Sequence, residues 1–285
     1  MSSLNHAAHL KDKEDFITSH QILPHDIYSF YLSLFQFQDE TVTQYESILH
    51  NVTIITDTTH FPVIAPENLQ FNDQLLSLIK KSFKEIAAII QTYHPHYSFN
   101  VFLEHGEKNE NLYKDLIIQL LNKDAKLEDI AHNNSIDTDE LIFLIINVYK
   151  PLFVALRHAG IPEDTTFADH HESYCPFCGF LPDMATIVES KNNKRLLHCA
   201  LCECQWEFKR VLCVNCGNEN TDTLGYYSYE PDEKYRFDYC NKCKTYIKTI
   251  RITKQNDESC FDLTVENLIT SFLDASALKM GYSRQ

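Results

Sequence analysis

Only 6 of the 285 residues are glycine, and there is a single tryptophan. So little glycine argues against a turn-rich all-β chain and favours helices. Neither G-x-x-x-x-G-K-[ST] nor G-x-G-x-x-G occurs, which removes the usual loops for cradling nucleotide phosphates. No apolar run is long enough to cross a bilayer. The most apolar stretch, Leu141 to Leu156, is too short and holds Lys150 and Pro151. The opening Met1-Ser-Ser-Leu-Asn-His has no basic run followed by an apolar one, so no signal peptide is expected. These absences predict a soluble, cytoplasmic chain without membrane insertion. Positive charge is also scarce. The net charge is -15, with 11 Lys+Arg against 24 Asp+Glu in residues 1–171, 12 against 11 in 172–255, and 2 against 5 in 256–285. Phosphate contacts dominate nucleic-acid affinity, so an acidic chain without a basic stripe predicts no nucleic-acid partner. A basic peptide or protein partner suits it better.

Cysteine is plentiful and ordered. Eight of the ten cysteines form four Cys-x-x-Cys pairs, Cys175/Cys178, Cys199/Cys202, Cys213/Cys216 and Cys240/Cys243. Twenty residues separate the first two pairs and twenty-three the last two, which is the pattern of two four-thiolate metal sites. Two cysteines three apart on a tight turn can aim both sulfurs at one ion, while backbone N–H groups of the turn donate to them. Glycine after the second cysteine suits the left-handed conformation such turns adopt. Gly179 and Gly217 hold that position after the first and third pairs, whereas Glu203 and Lys244 make the second and fourth turns less regular. Disulfides are the competing reading, but they belong to oxidising compartments. Cys204 and Cys260 fall outside the pattern and read as ordinary small side chains, with Cys204 near enough to a ligand to act as a reactive thiol or a substitute. His170 and His171, in a polar linker from Thr165 to Ser173, read as surface histidines.

The rest of the chain predicts helices by its 3.6-residue periodicity. One starts after Pro24 and buries Ile27, Phe30, Tyr31, Leu34 and Phe35. Another carries Leu76, Ile79, Phe83, Ile86 and Ile90. Further apolar stripes lie over Leu112–Leu121 and around Leu127 and Ile130. The longest helix is expected from Asp137 to Gly160, bent at Pro151, with Pro162 just beyond. Residues 1–11 read as frayed, and Asn51 to Pro66 as a connection. Strands are expected around Leu196–Cys199, Trp206–Val211 and Tyr246–Ile252, Tyr226, Tyr227 and Tyr229 precede the fourth pair, and a closing helix is expected from Thr264 to Met280 with Leu268, Phe272, Leu273 and Leu278. Tyr174, Phe177 and Tyr239 are expected to shield the sulfurs. The predicted architecture is α+β: an N-terminal all-α bundle (1–170), a first rubredoxin-like or zinc-ribbon module (171–212), and a second module with the C-terminal helix (213–285).

These residues resemble the formate dehydrogenase accessory proteins of the FdhE family. The likeness rests on Cys175-Pro-Phe-Cys178-Gly, on Leu197-His198-Cys199-Ala-Leu-Cys202, and on Trp206 and Arg210 leading to Cys213-Val-Asn-Cys216. It continues in Cys240-Asn-Lys-Cys243-Lys-Thr-Tyr246-Ile-Lys248 and in the closing Gly281-Tyr282-Ser-Arg. It is specific over about 171–285 and weaker over 135–160. Glu203, Lys244 and the extra Cys204 depart from it. The resemblance implies a cytoplasmic, non-enzymatic maturation factor that contacts the catalytic subunit of respiratory formate dehydrogenase before twin-arginine export. It implies two rubredoxin-type iron sites, one of Cys175, Cys178, Cys199 and Cys202 and one of Cys213, Cys216, Cys240 and Cys243. Four thiolates alone suit zinc or iron; the resemblance favours iron, with zinc able to take the same places. A homodimer is compatible with the chain. The competing functions are a rubredoxin-like electron-transfer protein acting during client assembly and, less well matched to the charge, a zinc-ribbon nucleic-acid module. A hydrolytic metalloenzyme fits least, because catalytic zinc keeps an open coordination position.

Overall fold

In a computed structural model of the chain, the apolar stripes of the first half fold as helices. The structure describes residues 4–50, 60–65, 69, 71–109, 111–122, 126–160, 167, 169–254 and 261–284. Most of the connection expected over Asn51–Pro66, together with Pro162, Thr165 and Cys260, lies outside the described residues. The helices are α1 (His6–Asp12), α2 (Glu14–Ser19), α3 (His25–Leu49), α4 (Asp73–Tyr93), α5 (Asn100–Lys108), α6 (Asn111–Asn122), α7 (Lys126–Asn133), α8 (Thr138–Gly160), α9 (Leu263–Ile269) and α10 (Ser271–Lys279). The described residues form two compact units. The first draws on Met1–Lys11, Pro24–Thr165 and Phe177–Gly179, and the second on Asp12–Leu23, Thr166–Pro176 and Phe180–Gln285.

In the first unit α3, α4 and α8 pack together. Each brings the stripe its sequence dictates: Phe30, Leu34 and Phe35 from α3, Leu76, Ile79, Phe83, Ile86 and Ile90 from α4, and Leu141, Leu144, Val148, Leu152 and Leu156 from α8, all buried. Removing each such side chain from water contributes about 2 kcal/mol. Asn72 caps α4, its Oδ1 accepting the Leu75 N–H at 2.8 Å. Pro151 lies inside α8 as expected. Three expectations change. The longest described helix is α3, with 25 residues against 23 in α8. The segment expected to fray instead forms α1, with His6, Ala7 and Leu10 buried. Its first turn is held by Asp39, whose carboxylate accepts the N–H groups of His6 (3.2 Å) and Ala7 (3.0 Å), satisfying donors a helix start leaves open. The nine-residue α5 was not anticipated.

The second unit is built on one sheet. Its strands are β1 (Pro182–Val188), β2 (Lys194–Cys199), β3 (Gln205–Phe208), β4 (Leu224–Ser228), β5 (Tyr235–Cys240), β6 (Thr245–Ile252) and β7 (Ser283–Arg284), in the order β3-β2-β1-β6-β5-β4 with β7 also on β6. Strands β1–β3 form one antiparallel meander and β4–β6 another. The two are fused by a parallel pairing of Met184–Val188 with Lys248–Ile252. Central strands are buried on both faces, and β6 is, with Tyr246 through Ile250 buried, Lys248 and Thr249 among them. One core cluster joins Met184, Val188, Phe237, Ile250 and Ile252 of the sheet to Leu263, Leu273 and Ala277 of the closing helices. The closing helix expected as one piece is two. Thr270 interrupts it at φ -102° and ψ 25°, and Leu278, expected on its apolar face, is 63% exposed.

Candidate metal centres

Each Cys-x-x-Cys pair sits on the same turn. The N–H of Cys175 donates to the carbonyl of Phe180 (2.8 Å), that of Cys199 to Cys204 (2.9 Å), and that of Cys213 to Asn218 (2.9 Å). In the fourth turn Cys240 pairs with Thr245 across β5 and β6. The closing residue is five after the first cysteine every time. The residue after the second cysteine is left-handed every time: Gly179 at φ 77°, Glu203 at 59°, Gly217 at 65° and Lys244 at 60°. The turns that the sequence marks as less regular therefore share the geometry of the glycine turns. An L side chain in that region costs about 1 kcal/mol or more. Local contacts offset it: Thr264 Oγ1 donates to Glu203 Oε1 at 2.9 Å, and Lys244 Nζ donates to Asn241 Oδ1 at 3.1 Å.

The turns bring the eight predicted cysteines into two groups, Cys175, Cys178, Cys199 and Cys202, and Cys213, Cys216, Cys240 and Cys243, with the sulfurs of each group all within 4.8 Å of one another. Measured Sγ–Sγ separations are 3.5 Å for Cys175–Cys202, 3.6 Å for Cys213–Cys243 and 3.9 Å for Cys216–Cys240. A tetrahedron with metal–sulfur bonds of 2.3 Å has edges of about 3.8 Å. The donor sets thus fit one tetrahedral ion each, and each group could hold a metal. None of the nine described cysteines is in a disulfide.

The two groups differ in surroundings. The first is fully buried, with Phe177 at 0% and Trp206 at 2% exposure in the same ribbon. Trp206 Nε1 donates to the Glu172 carbonyl at 3.1 Å. In the second group Cys213 and Cys240 are buried while Cys216 and Cys243 reach solvent. Burial pushes the Cys213 thiol up to about 12. Burial also acts to raise Cys243, but hydrogen bonds from the Thr245 hydroxyl (3.0 Å) and backbone outweigh it and bring that thiol down to about 6. Asn218 Nδ2 lies 3.5 Å from Cys240 Sγ. Sequence reasoning missed both Asn218 and Thr245. Their signal was the fixed five-residue offset from the first cysteine of each turn.

Cys204 is buried and belongs to neither group; it serves the second turn through its carbonyl. His170, expected at the surface, is 3% exposed. Its Nε2–H donates to the Tyr174 carbonyl at 2.7 Å, and its ring lies edge-on to Trp206 at 6.4 Å. His171 is exposed. Tyr239 is half-buried and stacks on Tyr282 at 4.7 Å.

The family model described as "FdhE, central domain" matches residues 174–210, which carry the first two cysteine pairs. An FdhE homolog of Aquifex aeolicus (strain VF5) is 29% identical over 201 residues, 64% of this chain and 64% of the relative. The chain is similar to FdhE proteins. An FdhE homolog of Edwardsiella ictaluri (strain 93-146) is 35% identical over 112 residues, 39% of this chain and 35% of its own length. The chain thus aligns with under two thirds of the length of these curated FdhE relatives. The crystal structure of the FdhE protein from Pseudomonas aeruginosa superposes with a TM-score of 0.60 at 19% identity, covering 100% of this chain and 95% of that one. At that identity the match establishes a shared fold. Among the described residues no helix is long and apolar enough to cross a membrane.

Proposed function

We propose that the chain is a cytoplasmic, non-catalytic maturation factor for a respiratory formate dehydrogenase. In this reading it binds the immature catalytic subunit before twin-arginine export and carries a metal ion in each group of four cysteines. The observation that carries the reading is the pair of complete tetrathiolate donor sets on one fused sheet, in a chain similar to FdhE proteins. Four thiolates leave no open position for substrate, which suits holding rather than turnover. The resident metal in this reading is iron, with zinc able to substitute. The acidic first 171 residues would draw a basic client segment, an attraction that weakens as salt rises. Binding of the purified, metal-loaded chain to the isolated catalytic subunit tests this, measured at low and high salt. A specific complex that loosens with salt is expected, and no complex at either salt would overturn the reading.

The solvent access of Cys216 and Cys243 supports a second reading, in which the second site passes an electron during client assembly. Exposure and sulfur hydrogen bonds such as those of Thr245 and Asn218 tune the potential of such a site. Voltammetry of the iron form decides it. A reversible one-electron wave is expected, and a silent protein that matures its client equally well with zinc would rule it out.

A further inference from the structure

A cavity of about 270 Å³ adjoins the second cysteine group and is lined by Arg195, Arg210 and Arg236, with Asp238, Cys213 and Cys240. Three of the chain's six arginines meet there, in a protein of net charge -15. One carboxylate, Asp238, lines the cavity with them and serves two of the three guanidinium groups. Asp238 Oδ1 lies 2.9 Å from Arg236 Nη2, and Oδ2 lies 3.7 Å from Arg195 Nη2 while also accepting the Thr249 hydroxyl at 2.9 Å. Arg195 is only 3% exposed, and its Nη1 donates to the Leu212 carbonyl at 3.1 Å. Arg236 lies 4.6 Å from the Tyr226 ring. Among the described residues, the buried Nε atoms of Arg195 and Arg236 have no hydrogen-bond partner. Buried donors are almost always satisfied, by protein or by something bound.

We propose that this cavity is a binding site for a small oxyanion, a carboxylate or a phosphate. The fork geometry of guanidinium matches the two-oxygen edge of either group. The volume falls just under the usual range for small-molecule sites, so it suits a compact anion rather than a nucleotide. The oxyanion takes the N–H groups that Asp238 leaves unserved, and Arg210, exposed at the same cavity, adds a third cation. The bound anion then sits against the ligand-bearing turns of Cys213 and Cys240, next to the more accessible metal site.

Isothermal titration calorimetry on the full, metal-loaded chain tests the proposal, using inorganic phosphate and acetate separately at constant ionic strength. Saturable one-to-one binding of at least one anion is expected, weakened about tenfold or more by Arg236→Gln, the loss expected for one charge-assisted fork. Arg210→Gln, at an exposed position that should not disturb folding, is expected to weaken it about threefold or more. Metal content should be unchanged in both variants. Tighter phosphate binding assigns a phosphate-bearing ligand, and tighter acetate binding a carboxylate. Absence of saturable binding for both anions overturns the proposal. So does an affinity unchanged in the folded arginine variants; should Arg236→Gln fail to fold, Arg210→Gln decides alone.

Discussion

Lys244 occupies a backbone conformation that glycine holds in two of the four metal turns. Its own N–H donates to the Cys240 carbonyl at 2.9 Å, so the left-handed geometry is built into the turn rather than chosen by the side chain. Lys244→Gly removes the penalty of about 1 kcal/mol carried by an L residue there and loses an exposed hydrogen bond to Asn241 and a cation–π contact with the Tyr282 ring at 5.4 Å. Stability should stay level or rise by up to about 1 kcal/mol. Lys244→Val, with its branched Cβ, should lower it by more than that. Chemical denaturation of the metal-loaded variants measures both, and a strongly destabilised glycine variant would mean the lysine side chain holds the turn. The cysteines separate by role in the same way. Cys199→Ala and Cys240→Ala should each lose one metal per chain, whereas Cys204→Ala should keep both, because Cys204 contributes its backbone carbonyl rather than its sulfur. Elemental analysis reads this directly, and full occupancy in either ligand variant would break the assignment. All eight candidate ligands were legible from spacing, because the turn that presents two sulfurs has a fixed length. The burial of His170 was not, because it depends on Trp206 and Tyr174 being brought beside it by the fold.

The elements were legible in proportion to their length. Helices α3, α4 and α8 carry long stripes whose period admits one reading. Helices α1, α2 and α5, with 7, 6 and 9 residues, offer few turns and went unread, whereas the eight-residue α7 was marked by Leu127 and Ile130. The parallel pairing of β1 and β6 was hidden for another reason. It joins strands some sixty residues apart, and no local pattern encodes a partner at that distance. A buried polar network lies where β6 meets the closing helices. Lys248 of β6 is 1% exposed, its Nζ donating to the Asn267 carbonyl (2.5 Å) and to Asp274 Oδ2 (2.7 Å), while Tyr246 donates to Asp274 Oδ1 (2.6 Å). Asn267 Nδ2 in turn donates to Asp183, which holds His198 Nδ1 at 2.7 Å beside the candidate ligand Cys199. Burial, with Arg284 adding repulsion, brings the Lys248 ammonium down to about 8 from 10.5. Between those values the unfolded chain holds a proton that the folded chain has shed, so the free energy of unfolding rises with pH. The rise from this group should amount to up to about 3 kcal/mol if the window is crossed in full. The phenols of Tyr246 and Tyr235, raised chiefly by burial, work the other way once unfolded tyrosine ionises near pH 10, so pH 8 to 10 is the range to examine. The metal-loaded chain should gain stability there, and Lys248→Met should lack that gain. Equal slopes in the two proteins would remove Lys248 as the cause.

At the scale of the molecule, the two cysteine groups depend on one sheet, so they should not behave as two independent ribbons. Strand β6 supplies Thr245 to the second turn system and pairs with β1, which leads into β2 and the candidate ligand Cys199. Small ribbons bury little apolar surface, and structural metal supplies folding free energy outright, on the order of 10 kcal/mol per site in the simplest cases. The helices of the first unit have their own buried stripes on α3, α4 and α8. Hydrogen exchange distinguishes the levels. Stripping both metals with a chelator should abolish amide protection across β1–β6 while α3, α4 and α8 keep theirs. Loss of the second metal alone, in Cys240→Ala, should remove protection from β4–β6 and also reduce it in β1, because β1 loses the ordered edge of β6. Protection in β1 that survives untouched would mean the parallel pairing transmits nothing, and the ribbons would then be separable modules that merely share a sheet.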